Sequence, residues 1–325
     1  MKRDDWERDA TAMEESKDDE LSKDGSHEAV TTAPNHRLSQ LVRLLGTKDA
    51  LIWILPLLYS IIVLIVYFRY GIILNAALGI IAIIAIPIVA YLSRSREFLR
   101  NSILIIIMLL SYEALQNVIA IINAGNAIAL DALDRAMFGF NFTAAVQNAF
   151  YSSFMTLISI AFYSLHIFLV IAAMIIFWFV NKKIYRGYTY SIILVSYLAL
   201  ATFAIFPTDP PWISGVANNL VIGGYNMLPG FINTLQQELL SVANKLAAFP
   251  SLHAAYATLF AVYTIKLNPK WGLVSAPILF GVLFSTIYLG QHYVLDLMGG
   301  IAYSLIAFFT VEWLIATNRA GKNGK

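Results

Sequence analysis

Cysteine is absent from the sequence, and charged residues are scarce. None of the 325 residues is a cysteine, which excludes disulfides, thiolate nucleophiles and zinc–thiolate sites. Charged residues make up 13% of the chain and hydrophobic residues 59%, a composition typical of a membrane protein with several spans. There is also no P-loop, no dinucleotide-binding fingerprint and no basic surface interleaved with aromatic residues, so we expect no nucleic-acid partner.

The first part of the chain differs in composition from the rest. Residues 1–34 hold eleven of the twenty Asp and Glu residues, beside five Lys or Arg and few apolar side chains. We expect residues 1–35 to form a disordered acidic tail, which is either a spacer or a partner-binding arm. Residues 36–49 are basic and amphipathic and predict an interfacial helix. A transmembrane catalytic domain is expected over residues 50–318.

Long apolar runs fill the remainder of the chain. Some are shorter than the ~20 residues that a full crossing needs, notably the run that begins at Ser251. The pattern predicts an all-α membrane helix bundle with about eight transmembrane helices. The predicted spans lie near residues 50–67, 72–92, 103–123, 154–180, 190–206, 251–265, 272–290 and 293–315.

The distribution of Lys and Arg predicts the orientation of these spans. Eight spans place both termini on one side of the membrane. Outside the acidic tail, fourteen Lys and Arg residues fall on the side of the termini, and three fall on the other side. The positive-inside rule therefore predicts that the termini are cytoplasmic. We expect an integral membrane protein of the plasma membrane. The three on the outer side are Arg69, Arg135 and Lys245.

Two long segments lie on the predicted outer side. Residues 127–150 combine apolar side chains with Asp131, Asp134 and Arg135. Residues 230–248 place their apolar side chains on one helical stripe. Both predict interfacial helices rather than soluble domains. The second segment is either a lid over a site or a connector that lies on the lipid headgroups.

The stretch from Phe249 to Gly300 carries the groups best suited to chemistry. It holds two of the five histidines, and the apolar helical hairpin between them returns both to the same end, which the charge distribution places outside. His292 and Asp296 are four residues apart, so on a helix they share a face. The carboxylate then accepts the Nδ1 proton of the imidazole and leaves Nε2 available to attack.

The residues around His253 supply the remaining parts of a reaction. His253 is a candidate proton donor to a leaving group. Pro250 suits the first turn of a helix, and the N–H groups that follow it, with the Ser251 hydroxyl, would seat an anion. These groups together describe phosphoryl transfer through a phosphohistidine, which requires no cofactor and no metal. Two histidines and one carboxylate are also the ligand set of an iron facial triad, so that alternative stays open.

At these positions the sequence resembles the type 2 phosphatidic acid phosphatase superfamily. The second motif of that family reads Pro-Ser-x-His, and the third reads Ser-Arg-x5-His-x3-Asp. Thr286 stands where the phosphatases of the family usually carry Arg, and their first motif, Lys-x6-Arg-Pro, is missing. The positions that match are Pro250, Ser251, His253, Ser285, His292 and Asp296.

A segment further upstream limits the resemblance to one branch of this superfamily. Residues 206–212 contain Pro-x-x-Pro-Pro-Trp, which resembles a segment of the inositol phosphorylceramide synthases and their bacterial and archaeal relatives. The resemblance covers roughly residues 100–315 and implies a six-helix core with His292 as nucleophile, Asp296 as its orienting acid and His253 as proton donor. The candidate substrate-binding residues are Ser251, Asp209, Pro211, Trp212, Lys245, Ser285, Arg135 and Glu113.

Three of the polar residues allow more than one interpretation. Glu113 lies in the middle of a predicted span, where a carboxylate is either functional or a hydrogen-bonding group in helix packing. His166, also within a span, is interpreted as a core histidine rather than a catalytic one. Asp209 either positions a substrate hydroxyl or forms a turn before the two prolines.

We therefore expect a membrane-embedded lipid phosphotransferase that moves a phosphoryl headgroup from a phospholipid diester to a lipid alcohol. A phosphatase acting on phosphatidic acid or a polyprenyl phosphate or diphosphate is the alternative. A transporter or channel that uses Glu113 and His166 as a relay is a third possibility. The expected partners are a membrane phospholipid or polyprenyl lipid and the bilayer itself, with no obligate protein partner.

Overall fold

The computed structural model describes residues 95–123, 127–227 and 246–323. The predicted acidic tail, the predicted interfacial helix at 36–49 and the first two predicted spans lie outside these residues, as does most of the segment 230–248. The elements within them are α1 (Arg96–Ile122), β1 (Ile128–Ala129), α2 (Asp131–Phe138), α3 (Phe142–Phe150), α4 (Ser153–Val180), α5 (Lys182–Ile205), β2 (Thr208–Asp209), α6 (Leu220–Tyr225), α7 (Leu252–Leu267), a 3-10 turn (Pro269–Trp271), α8 (Gly272–Tyr288) and α9 (Val294–Asn323).

The other six predicted spans coincide with helices α1, α4, α5, α7, α8 and α9, which confirms the all-α membrane bundle. By length and composition, Lys182–Ile205, Pro269–Tyr288 and Val294–Asn318 are each able to cross a membrane. Helix α4 is a fourth if its two halves, which are bent by 54°, are taken as one span. Helix α7 has 16 residues, fewer than the ~20 of a full crossing, as its sequence predicts.

Short polar side chains determine where several helices begin. The Ser152 hydroxyl accepts the N–H of Met155 at 3.1 Å at the start of α4. The side-chain oxygen of Asn181 accepts the N–H groups of Lys183 and Ile184 at 2.9 and 3.2 Å at the start of α5. Such caps satisfy donors that the first turn of a helix leaves without a backbone partner. The apolar runs are therefore divided into separate helices at defined residues.

Helix α7 lies at the centre of the bundle, where it packs against α4, α5, α8 and α9. Helix α9 approaches its first turn very closely, since a Cβ atom on Gly300 would lie only 2.2 Å from the carbonyl oxygen of Ser251. A larger residue at this position would force the two helices apart. The contact allows the Ser251 N–H to donate to the Asp296 carbonyl at 2.9 Å, so the starts of α7 and α9 are joined.

The opposite end of the bundle carries paired charges. Arg186 at the start of α5 forms an ion pair with Glu97 at the start of α1. Lys266 near the end of α7 pairs with Glu312 of α9. Gly187 lies directly against Glu312, so both ion pairs belong to the same end. We call this the inner end, after the orientation predicted from the sequence, and we call the end where α7 and α9 begin the site end.

The segment 127–150 is more than an interfacial helix. Strand β1 pairs in parallel with β2, and α2 and α3 follow it. Asp134, Thr143 and Gln147 are all buried, whereas Leu133 and Met137 are exposed apolar side chains. The predicted apolar surface is present, but the buried polar side chains show that the segment also packs onto the site end.

Candidate active site

His292 and Asp296 are both buried at the start of α9. Nδ1 of His292 lies 3.4 Å from Oδ2 of Asp296. The helix begins only at Val294, so His292 precedes it, and the predicted shared helical face is wrong in that detail. Asp296 lies in the first turn, where its Oδ2 also accepts the N–H of Tyr293 at 2.8 Å. The same carboxylate thus caps the helix and orients the imidazole.

The main chain around His292 is held on both sides. Gly290 has a φ of +78°, a left-handed conformation that favours glycine. The N–H groups of Gln291 and His292 donate to the Thr286 carbonyl at 3.0 and 3.2 Å. The Thr143 hydroxyl donates to the His292 carbonyl at 3.3 Å. The backbone that carries the imidazole is therefore supported independently of its side chain.

His253 faces His292 from the first turn of α7. Its Nδ1 lies 3.4 Å from Nε2 of His292. Ser251 is the residue that caps this helix, and its hydroxyl accepts the N–H of Ala254 at 3.3 Å. Pro250 therefore precedes the helix instead of forming its first turn. The structure brings the two predicted histidines into direct contact, with Ser251 beside them.

Helix α4 adds two rings to this site. The Tyr163 ring stacks on the His253 ring with centroids 4.4 Å apart, and the His166 ring lies 3.8 Å from it. Nδ1 of His166 lies 2.9 Å from the Tyr163 carbonyl. Its sequence context predicts a core histidine and gives no link between His166 and His253. The sequence shows that Tyr163 and His166 are three residues apart and so share a helical face. Nothing in the sequence predicts that α4 packs against α7.

Gln147 of α3 is a second group that sequence reasoning missed. Its side-chain N–H2 donates to the carbonyl oxygens of Asn218 and Tyr288 at 2.8 and 3.0 Å. Its side-chain oxygen accepts the N–H of Asn218 at 2.9 Å. One buried amide therefore joins the end of α8 to the loop that follows the Pro-Pro-Trp segment.

The Pro-Pro-Trp loop lies against the turn that carries His292. The Trp212 N–H donates to the Gly290 carbonyl at 3.2 Å. Pro211 is buried and Trp212 is half-buried. Asp209, in β2, is half-buried as well, and burial raises the pKa of its carboxyl. The structure thus joins this loop to the site end.

Other predicted binding residues have different positions. Ser285 is buried, and its hydroxyl donates to the Val282 carbonyl of its own helix at 2.8 Å. Arg135 is exposed on α2. Glu113 lies on α1, but its side chain is outside the described part of the structure, and Lys245 lies outside the described residues altogether.

Among its described residues, the site end has little fixed positive charge. In the part of the chain that the structure describes, the only ion-pair partner of Asp296 is His292. The neighbouring carboxyl of Asp134 is buried, and burial raises its pKa, although the N–H groups of Phe142 and Val294 oppose this effect. Among these described residues, no group of three His, Asp or Glu side chains is arranged to hold a metal ion.

The known proteins that this chain resembles have related names. Phosphoinositol dihydroceramide synthase of Bacteroides thetaiotaomicron is 26% identical over 155 residues, which are 44% of this chain and 50% of the relative. Inositol phosphorylceramide synthase of Candida albicans is 29% identical over 164 residues, 46% of this chain and 34% of the relative. The catalytic subunit of the Saccharomyces cerevisiae enzyme of that name is 30% identical over 115 residues, 32% of this chain and 28% of the relative.

These matches cover only part of each protein. The chain spans half or less of the length of these curated relatives. No solved structure gives a significant match. The profile of the PAP2 superfamily, by contrast, matches residues 129–310, more than half of the chain, and this range includes His253, His292 and Asp296. The resemblance predicted from the motifs is confirmed, and the chain belongs to the PAP2 superfamily.

Proposed function

We propose that this protein is a lipid phosphotransferase whose nucleophile is His292. The observation that carries the proposal is the row of three side chains in which Nε2 of His292 faces His253 and Nδ1 faces Asp296, each at 3.4 Å. A carboxylate behind an imidazole fixes its tautomer and stabilises the positive charge that develops during attack. The second histidine supplies acid–base catalysis to the leaving alcohol and then to the entering alcohol.

In the first step, Nε2 of His292 attacks the phosphorus of the donor lipid. The bond between phosphorus and the glycerol oxygen breaks, and the leaving oxygen takes a proton from protonated His253. The headgroup phosphoryl remains on Nε2 as a phosphohistidine. The Ser251 hydroxyl and the N–H groups of the first turn of α7 are the groups that hold the phosphoryl oxygens.

In the second step, the hydroxyl of the acceptor lipid gives its proton to His253 and attacks the phosphorus. The bond between phosphorus and Nε2 of His292 breaks, which restores the free imidazole. His253 is left protonated and ready for the next turnover. The two steps together exchange one alcohol for another on the same phosphoryl group, so the reaction needs no external energy source.

The charge of the site favours a phosphodiester donor. A phosphate monoester carries up to two negative charges near neutral pH, and their desolvation is costly without fixed cations. Arg135 is the only described Lys or Arg in the long outer segments, and its side chain is exposed. The names of the relatives describe products in which phosphoinositol is joined to a ceramide or dihydroceramide. We therefore propose an inositol phospholipid as donor and a ceramide-type alcohol as acceptor.

The activity test compares donors and acceptors on the purified full-length protein in detergent. Phosphatidylinositol labelled in its inositol ring is supplied with ceramide, and phosphatidic acid is supplied in parallel. We expect label to pass into a ceramide product, with a lower kcat/KM for phosphatidic acid. Faster turnover of phosphatidic acid, with water as the only acceptor, would replace the transferase with a phosphatase. The variant His292→Gln provides the inactive control.

The proposed orientation places the site end outside the cytoplasm, at the plasma membrane. Since the chain has no cysteine, single cysteines report on their own positions. Asn218 is exposed in the loop at the site end, and Lys183 is exposed at the inner end. We expect an impermeant thiol reagent to label Asn218→Cys in intact cells and to label Lys183→Cys only after lysis. The reverse labelling would put the reaction in the cytoplasm.

A further inference from the structure

The two histidines of the site are supported in different ways. His292 has a carboxylate behind its ring, as described above. Nε2 of His253 is buried and has no hydrogen-bond partner among the described residues. No polar group of that region therefore fixes the His253 ring from behind, yet its Nδ1 must face His292 for the proposed proton transfers.

Ring contacts from α4 hold His253 where a hydrogen bond to Nε2 would otherwise do so. The His253 ring stacks on Tyr163 with an interplanar angle of 22°. The His166 ring contacts it at an angle of 42°. The Tyr163 and His166 centroids are 6.1 Å apart, so the two rings contact His253 from different directions. Together they restrict rotation of the His253 side chain.

His166 is itself fixed by the backbone of α4. Its Nδ1 donates to the Tyr163 carbonyl, a group that accepts the N–H four residues later in a regular helix. A side chain that competes for such a carbonyl is a recognised cause of helix bending. Helix α4 bends by 54° between its segments Ser153–His166 and Phe168–Val180. The hydrogen bond from Nδ1 of His166 to the Tyr163 carbonyl therefore lies at the bend of α4 and also fixes the orientation of the His166 ring.

We propose that His166 is a positioning residue that holds His253 with Nδ1 toward His292. The inference rests on the proposed function, in which His253 exchanges protons with the two alcohols. His166 acts through His253 and does not contact the reacting atoms. A further consequence is that neutral His253 carries its proton on Nδ1, because its Nε2 has no acceptor among the described residues, while Nε2 of His292 accepts from Nδ1.

Two substitutions separate the ring of His166 from its hydrogen bond. His166→Asn keeps a donor at the position of Nδ1 but removes the ring. His166→Phe keeps a ring but removes the donor. We expect His166→Asn to lower kcat about 10- to 100-fold with KM changed less than about threefold, since small misplacement of a reacting group costs rates of this order. We expect His166→Phe to stay within about fivefold of the wild type.

A control and a spectroscopic measurement complete the test. Phe168→Leu changes an exposed side chain just beyond the bend, and it should leave kcat unchanged. The ring ¹⁵N spectrum of the full-length protein in detergent reports tautomers without any need for activity, and the chain has only five histidines. We expect neutral His253 to be the Nδ1–H tautomer in the wild type and to shift toward Nε2–H in His166→Asn, because water then reaches Nε2.

The outcomes separate this inference from the proposed function. If His166→Asn keeps both the wild-type kcat and the Nδ1–H tautomer, His166 does not position His253. If His166→Phe loses as much activity as His166→Asn, the ring contact is not the cause, and the inference also fails. If the tautomer of His253 follows the substitution but no lipid is turned over by the wild type, the positioning role stands and the proposed transferase fails.

Discussion

The two ends of the helix bundle use polar residues in opposite ways. At the inner end, Lys and Arg are paired with Glu across helices, and Arg186 is 46% exposed while Glu97 is 24% exposed. At the site end, polar groups are buried and uncompensated by Lys or Arg within the described residues, and they are held by histidine, Asp296 and backbone groups. Helix α7 connects the two ends over 16 residues, which is about 24 Å.

This difference indicates what each end contributes. Ion pairs that solvent reaches typically stabilise a protein by about 0–1 kcal/mol, so we expect the Arg186–Glu97 pair to add little to stability. The Lys and Arg residues of this end matter more for the predicted orientation in the membrane. Buried hydrogen bonds are costly to break when a partner is left without one. Substitutions at the site end should therefore have the larger effects, both on activity and on stability. Four predictions test this comparison.

The largest effect is expected for His292→Ala. Removal of the proposed nucleophile should abolish lipid transfer, because His292 is the only histidine among the described residues that is paired with a carboxylate. The fold should be retained, since the His292 backbone is held by Thr286 and Thr143 rather than by its imidazole. Transfer of labelled headgroup and the melting temperature are measured on the same sample. Near-normal transfer by the folded variant would rule out the proposed mechanism.

The second-largest effect is expected for Asp296→Asn. The asparagine oxygen can still accept the Tyr293 N–H, so the start of α9 should persist. The amide carries no negative charge to stabilise the positive charge that develops on His292 during attack, and the same substitution costs about 10⁴ in rate in a comparable triad. Single-turnover measurements of the loss of donor lipid give the rate directly. A loss of less than about tenfold would mean that Asp296 does not support the nucleophile.

Gln147→Ala tests the support beneath the site. It leaves the carbonyl oxygen of Tyr288 without this buried hydrogen bond, a loss that costs about 1–3 kcal/mol, and it also removes both hydrogen bonds to the Asn218 main chain. We expect a lower melting temperature and a kcat reduced about tenfold, because the turn that carries His292 loosens. Asn148→Ala, at the exposed next position of α3, is the matched control. Equal melting temperatures for the two variants would contradict this role.

The smallest effect is expected at the inner end. Glu97→Gln removes the ion pair with Arg186, and we expect a loss of stability of at most about 1 kcal/mol with kcat within twofold of the wild type. Thermal unfolding in low and high salt measures it, since salt should reduce the wild-type advantage. A strong loss of transfer activity would show that the two ends are coupled through α7.

The sequence predicted the parts of the site that depend on local spacing. Ser251 and His253 lie in one turn, and His292 and Asp296 lie four residues apart, so their proximity within each pair needs no knowledge of the rest of the fold. The length of the hairpin between them was enough to bring the two pairs together. His292 was nevertheless misplaced in a helix, because the exact residue at which α9 begins depends on the Asp296 cap.

Contacts between distant segments could not be predicted in this way. The Thr143 hydroxyl reaches His292 across 149 residues of sequence, and Gln147 reaches Asn218 across 71. Neither residue forms part of a recognisable motif, and both occur in a segment whose composition indicated an interfacial helix. Their burial follows from the packing of α3 against α8, which no periodicity in the sequence specifies.

The sequence by itself determined the membrane bundle and the pairing of His292 with Asp296, because apolar runs and short spacings act locally along the chain. The tertiary structure alone decided that His166 and Tyr163 contact His253. These rings lie on α4, and their orientation depends on a helix bend and on the close approach of α4 to α7. Such contacts arise from packing between helices far apart in the chain, and that packing turns a histidine of unremarkable sequence context into a neighbour of the site.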